Sequence, residues 1–209
     1  MEKFIYVYMK ENNVKVLGHG IRYVLWVQGC NRRCKGCIAE NAQDMKKGTP
    51  VNINALALEI ALSDVEGLTI SGGEPFLQAQ PLSELIDKIH TKRKMGIIVY
   101  TGFRYEELKT DMNMKSLLDR TDLLIDGEYI QELDDGKSLR GSSNQRIIPL
   151  TDLYKDCLGE YGQDNRQMQV FYHGIYVHEI GIPINEKRRK LCAEEKLPIH
   201  RFQLMNSEI

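Results

Sequence analysis

The sequence predicts an α/β fold in which parallel strands and crossover helices build a sheet or an open barrel. Three observations carry that reading. Short apolar runs alternate with stretches of helical periodicity, as repeated strand–helix–strand units require. The run over residues 21–27 is too continuous for a half-exposed strand and has the character of a buried parallel one. Residues of chemical interest stand just after the strand-like runs, at the carboxyl ends where such folds keep their functional loops.

Taken in order, residues 4–8 read as a short strand and residues 21–27 as a second, ending at Gln28-Gly29-Cys30. Ile53, Leu56, Ala57, Ile60 and Ala61 have helical spacing, with Asn52 or Asn54 as the cap. Residues 67–70 form a strand that stops at Ser71-Gly72-Gly73. A helix follows over 81–94, with Leu82, Leu85, Ile86 and Ile89 on one face and Pro81 in its first turn. Residues 97–100 form a strand ending at Thr101-Gly102, residues 105–118 a helix, and residues 123–125 a strand ending at Asp126-Gly127. Residues 136–149 read as a polar loop, and so do residues 161–165. Residues 168–172 and 175–180 read as a hairpin turning at His173-Gly174, and residues 186–196 as a charged helix before Pro198. The division expected is a core over 1–150 and an extension over 151–209 packed on the same domain.

Composition narrows the class. Apolar residues make up 42% and charged residues 27%, a balance that suits a soluble globular chain rather than a disordered one. With 28 Lys and Arg against 29 Asp and Glu, nothing favours nucleic acid as a partner. No apolar run is long enough to cross a bilayer, and residues 1–6 lack the features of a signal peptide. The expectation is a cytoplasmic protein without a membrane partner.

Three of the five cysteines fall within eight residues, as Cys30-x3-Cys34-x2-Cys37. That crowding argues for a reducing compartment and metal ligation, not for a disulfide scaffold. A compact loop can present three thiolates to three corners of an iron–sulfur cube. The fourth iron then lacks a protein ligand and is open to a small chelating molecule. Arg32, Arg33 and Lys35 put positive charge beside the thiols and are expected to favour their ionised form. A zinc site completed by His19 uses the same residues, and a non-catalytic electron carrier or interaction module remains an alternative. Cys157 and Cys192 read as small buried apolar residues, and Trp26 as core beneath the cysteine loop. His173 and His178 read as ordinary strand histidines.

Several segments together carry a resemblance. They are Gly18-His19-Gly20-Ile21-Arg22, then Leu25-Trp26-Val27-Gln28-Gly29-Cys30 with its cysteine spacing, then Ser71-Gly72-Gly73-Glu74-Pro75. In this order they resemble the radical S-adenosylmethionine (SAM) superfamily. The segments Val99-Tyr100-Thr101-Gly102-Phe103, Leu124-Ile125-Asp126-Gly127 and Leu139-Arg140-Gly141-Ser142-Ser143-Asn144-Gln145-Arg146 narrow it. They are similar to the activating enzymes of glycyl-radical enzymes, most of all to that of anaerobic ribonucleotide reductase. Gly36, where many superfamily members carry an aromatic residue, suits that branch.

The resemblance implies a partial, open parallel β/α barrel of the radical SAM type with a short hairpin-plus-helix extension. It implies a [4Fe–4S] cluster on Cys30, Cys34 and Cys37, and SAM on its free iron. Gly72, Gly73 and Glu74 are the implied SAM-binding edge. Thr101 and Asp126 are candidates for the SAM ribose or carboxylate, the latter through a monovalent cation. Either could instead be a helix cap or turn residue. Residues 140–145 would floor the SAM site or receive a partner's glycine loop, or form a solvated loop. The implied partners are a glycyl-radical enzyme and a flavodoxin- or ferredoxin-type electron donor. The chain after residue 150 exceeds what the short reductase activators carry, so a peptide maturase or small-molecule enzyme is the alternative.

Overall fold

Four parallel strands hold the centre of the sheet, each at an apolar run of the sequence. They are β2 (Arg22–Val27), β4 (Gly67–Gly72), β5 (Gly96–Tyr100) and β6 (Leu123–Asp126). The structure is a computed structural model and describes residues 3–159, 161 and 163–183. Antiparallel strands flank the centre: β1 (Phe4–Val14) and β3 (Thr49–Asn52) on one side, β7 (Arg146–Pro149) on the other. The order is β3-β1-β2-β4-β5-β6-β7, a mixed sheet with a parallel heart. A separate hairpin pairs β8 (Met168–His173) with β9 (Tyr176–Gly181).

The α-helices among the described residues all lie against one face. Helix α1 (Ile53–Leu62) starts where Asn52 accepts hydrogen bonds from the backbone N–H groups of Asn54 and Ala55 at 2.9 and 3.2 Å. Such a cap adds about 1 kcal/mol over alanine. Helix α2 (Ala79–His90) buries Leu82, Leu85, Ile86 and Ile89 completely. At roughly 1.5–3 kcal/mol for each buried aliphatic side chain, this face outweighs any propensity term in the helix. These residues meet Tyr23, Leu25, Val27, Leu68, Ile70, Ile97 and Val99 from the sheet. The alternate strand residues, Val24, Trp26, Ile98 and Tyr100, point to the opposite face, as a period of two demands. No helix covers that face among the described residues. Leu17, Leu139, Tyr154 and the hairpin residues Phe171 and Ile180 pack there instead.

Several expectations need correction. Strand β1 runs to Val14, well beyond residue 8. The helix expected over 105–118 is two helices, α3 (Tyr105–Thr110) and α4 (Met112–Leu118). Asp111 between them is extended, and its carboxylate accepts from the N–H groups of Asn113 and Met114, so it caps the second helix. The stretch expected to be loop over 136–149 contains β7, whose Ile147 and Ile148 pair with Ile125 and Leu124. Cys157 is half-buried. Cys192 and the helix expected over 186–196 lie outside the described residues. No helix among the described residues is long and apolar enough to cross a membrane.

One buried cation ties the amino-terminal ends of the strands together. Arg22 is 1% exposed. Its Nη2 donates to the carbonyls of Leu68 and Gly96 at 2.7 and 2.9 Å, and its Nη1 donates to the Tyr154 hydroxyl at 2.7 Å. Gly67 leaves the room, since a Cβ there would stand 2.0 Å from the guanidinium. We predict that Arg22→Met, which strands those carbonyls, lowers unfolding free energy by about 3 kcal/mol or more. Urea denaturation measures it, and a loss under about 1 kcal/mol contradicts the role assigned to Arg22.

Candidate functional site

Three loops meet at the carboxyl end of the parallel strands. After β2 the chain makes an abrupt turn at Gly29, whose φ is 97°. Three partners fix that turn: Gly29 N–H donates to the Ala42 carbonyl at 2.7 Å and Cys30 N–H to the Gln43 carbonyl at 3.0 Å, while Glu74 N–H donates to the Gly29 carbonyl at 2.8 Å. The Gln28 side chain donates to the carbonyls of Asn41 and Asp44 and so holds the returning strand of the loop. The two loops touch backbone to backbone. A Cβ on Gly73 would fall 2.2 Å from the Gly29 carbonyl oxygen, and one on Gly72 2.5 Å from Val27. The double glycine is therefore required first by this contact between loops.

Cys30, Cys34 and Cys37 line one cavity of about 260 Å³ together with Gly72 and Gly73. No other cysteine among the described residues lines it. Cys37 N–H donates to the Cys34 carbonyl at 3.3 Å, closing the short loop between them. The flanking cations do not ionise the thiols. Burial raises the Cys30 thiol above its ordinary range, and burial with the nearby Glu128 carboxylate pushes Cys34 up to about 11. Arg32 is otherwise engaged: its guanidinium stacks over Phe103 at 4.1 Å and lies 3.7 Å from Glu107. Lys35 faces Glu132 at 3.5 Å. Burial thus favours the protonated thiol at Cys30 and Cys34, and a metal bound there must displace those protons.

The other candidates divide into two groups. Glu74 and Thr101 reach the cavity, but their polar atoms are already committed. Glu74 is 1% exposed and accepts from Phe76 N–H at 3.0 Å, Gly102 N–H at 2.8 Å and the Thr101 hydroxyl at 2.8 Å. Burial raises its pKa, and these three donors pull it back. Thr101 in turn accepts from Phe103 N–H at 3.1 Å, the turn role that the sequence left open. Asp126 does not line the cavity. It is fully buried, its carboxylate accepts from Arg146 Nε at 2.9 Å and Nη2, and it receives Tyr105 N–H at 2.7 Å at the start of α3. It serves as a cap and a strand tie.

Sequence reasoning missed other parts of the wall. Trp26, expected in the core, lines the cavity, as do Tyr8 and Met9 of β1. So does Tyr100, whose hydroxyl is buried without a hydrogen-bond partner among the described residues. Its place one residue before Thr101, at a strand's carboxyl end, was the available signal. Gly141 and Gln145 represent the loop expected over 140–145. Arg166, 4% exposed, organises that loop by donating to the carbonyls of Lys137, Arg140 and Gly141 and pairing with Asp134. Ile180, Gly181 and Ile182 of the hairpin close the far side. His19 is not part of the cavity wall, so the zinc alternative lacks its fourth ligand there.

Comparison with known proteins bears on the cysteines. Residues 16–148 match the family described as a 4Fe–4S single cluster domain. The chain is 32% identical over 143 residues to the anaerobic ribonucleoside-triphosphate reductase-activating protein of Enterobacteria phage T4, covering 66% of this chain and 89% of the phage protein. It is 34% identical over 143 residues to the protein of that name from Haemophilus influenzae, covering 62% and 88%. A shorter stretch of 63 residues is 36% identical to the 7-carboxy-7-deazaguanine synthase of Hyperthermus butylicus, covering 30% of this chain and 27% of that protein.

The loop contact yields a prediction. Gly73→Ala forces the cysteine loop away from β4, and we expect iron bound after anaerobic reconstitution to fall to less than about half while the fold is kept. Iron analysis and circular dichroism measure this; full iron loading in the variant contradicts it.

Proposed function

We infer the function from one premise: this chain belongs to the 4Fe–4S single cluster domain family and to the family of anaerobic ribonucleoside-triphosphate reductase-activating proteins. The reading is a radical SAM activase. It cleaves SAM reductively at a [4Fe–4S] cluster held by Cys30, Cys34 and Cys37, and installs a glycyl radical on a partner such as anaerobic ribonucleotide reductase. The observation that carries it is the donor set: three thiols, with no fourth cysteine among the described residues, on a cavity shared with the Gly72-Gly73 edge. Three sulfurs fit a cube with one iron left open for the amine and carboxylate of SAM.

When bound and reduced, the cluster supplies the electron that splits the SAM sulfonium into methionine and a 5′-deoxyadenosyl radical, which takes a hydrogen atom from the partner's glycine. The residues of the chain supply position and dryness. Backbone at Ser71 and Gly72 offers carbonyl acceptors to the SAM ammonium. The sealed Tyr100 hydroxyl offers a donor to the nucleotide. Glu74 and Thr101 hold the loops that make the site, and the Glu74 charge adds complementarity. A cation beside the SAM carboxylate needs ligands other than Asp126, whose oxygens Arg146 and Tyr105 N–H already occupy. Arg33 and Lys35 give the cluster loop positive charge for a flavodoxin- or ferredoxin-type donor. Helices on one face, with loops and the hairpin on the other, suit the partial barrel expected of this superfamily, and a cytoplasmic setting suits reduced thiols.

A small-molecule radical SAM enzyme is the second reading, favoured by the short stretch shared with a deazaguanine synthase. Co-purification with a glycyl-radical protein separates the two. The chemistry itself is tested by reducing the anaerobically reconstituted protein with dithionite in the presence of SAM. We predict 5′-deoxyadenosine from the intact chain, and none from Cys34→Ala, which also loses iron. Absence of the product from the cluster-loaded intact chain refutes the reading. Tyr100→Phe keeps its cluster, and its KM for SAM rises about three- to tenfold, the cost of one hydrogen bond. An unchanged KM removes Tyr100 from the nucleotide site.

A further inference from the structure

A second group of metal-ligating side chains lies apart from the cysteines. It joins Glu11 of β1 to His173 at the end of β8 and His178 within β9. One ligand atom from each residue lies within 4.8 Å of the others. His173 Nε2 stands 2.7 Å from Glu11 Oε2, and the two imidazole centroids are 5.0 Å apart.

The register explains the convergence. Phe171 pairs with His178 and His173 with Tyr176, so both histidines project from the same face of the hairpin. That face presses on the sheet: Gln169 accepts from Lys15 N–H at 2.8 Å and donates to the Asn13 carbonyl at 2.9 Å, while Phe171 and Ile180 pack by Val14 and Val24. On the other side, the β1–β2 ladder shifts register between Glu11 and Val14, and Asn13 has a φ of 58°. Irregularities of this kind re-aim strand side chains. The Glu11 side chain is only 10% exposed, whereas that of His173 is 50% exposed, so an ion has a path in from solvent.

We propose that Glu11, His173 and His178 form a second metal site, a seat for one zinc-class divalent cation that clips the hairpin to β1. Two imidazole nitrogens and one carboxylate oxygen suit Zn²⁺. Mg²⁺ and Ca²⁺ want all-oxygen sets, and soft ions want sulfur. Three protein ligands leave a fourth tetrahedral position for water on the exposed side. All three residues fall outside the stretch 16–148 that matches the 4Fe–4S family. It does not depend on the radical SAM reading. Its consequence reaches the cavity all the same, because Ile180, Gly181 and Ile182 form part of that wall. A cation at the clip fixes the wall in place.

The test is calorimetric titration of Zn²⁺ into the full chain with its cluster assembled, so that the thiols are occupied. The expected result is one equivalent per chain. Binding should weaken by more than about tenfold in His173→Gln/His178→Gln and in Glu11→Gln, with iron content unchanged, since loss of a ligand costs more than loss of an outer-shell partner. No binding, or equal binding in the variants, overturns the proposal. Should the variants fail to fold, the intact protein decides. Zn²⁺ should then slow diethylpyrocarbonate modification of His173 and His178 relative to His90, as mapped by mass spectrometry; equal rates with and without Zn²⁺ overturn it.

Discussion

The contact on which the site depends is the backbone approach between the loops that follow β2 and β4. Gly73 N–H donates to the Val27 carbonyl at 2.8 Å and Glu74 N–H to the Gly29 carbonyl at 2.8 Å. No side chain fits between them, so glycine is required at position 73 for steric reasons before any ligand is considered. This contact fixes where the cysteine loop leaves the sheet. It thereby puts the thiols and the glycine edge on one cavity.

Around that contact, buried polar groups act as ties between strand ends. Glu74 joins the β4 loop to the β5 loop, Asp126 joins β6 to β7 and α3, and Arg22 gathers the opposite ends of the strands. A buried charge is costly unless it is fully hydrogen-bonded, and each of these groups makes at least three hydrogen bonds. Their removal is predicted to disturb geometry before it disturbs chemistry. The Cys30 and Cys34 thiols follow the same rule in reverse: burial favours their neutral form.

Much of this was legible in the sequence. The parallel strands announce themselves as continuous apolar runs, α2 by its buried stripe, and the convergence of Cys30, Cys34 and Cys37 on one cavity by their close spacing. What was not legible depended on tertiary context. The break at Asp111 is hidden because the apolar spacing continues across it, and only the cap reveals two helices. Strands β3 and β7 are short and half-exposed, so their pairing, not their composition, makes them strands. Asp126 and Thr101 stood at the right strand ends, yet a carboxylate or hydroxyl there serves a cap or turn as readily as a ligand. The converging histidines needed the hairpin register and the irregularity in β1 together, and neither has a sequence signature.

The central claim is that three thiols hold the cluster and leave one iron open to SAM. Electron paramagnetic resonance of the reduced, reconstituted protein, recorded before and after SAM is added, tests it most directly. The account predicts a reduced-cluster signal whose g values move when SAM binds the open iron. A spectrum indifferent to saturating SAM, or a centre that proves to be fully ligated by protein, would contradict it.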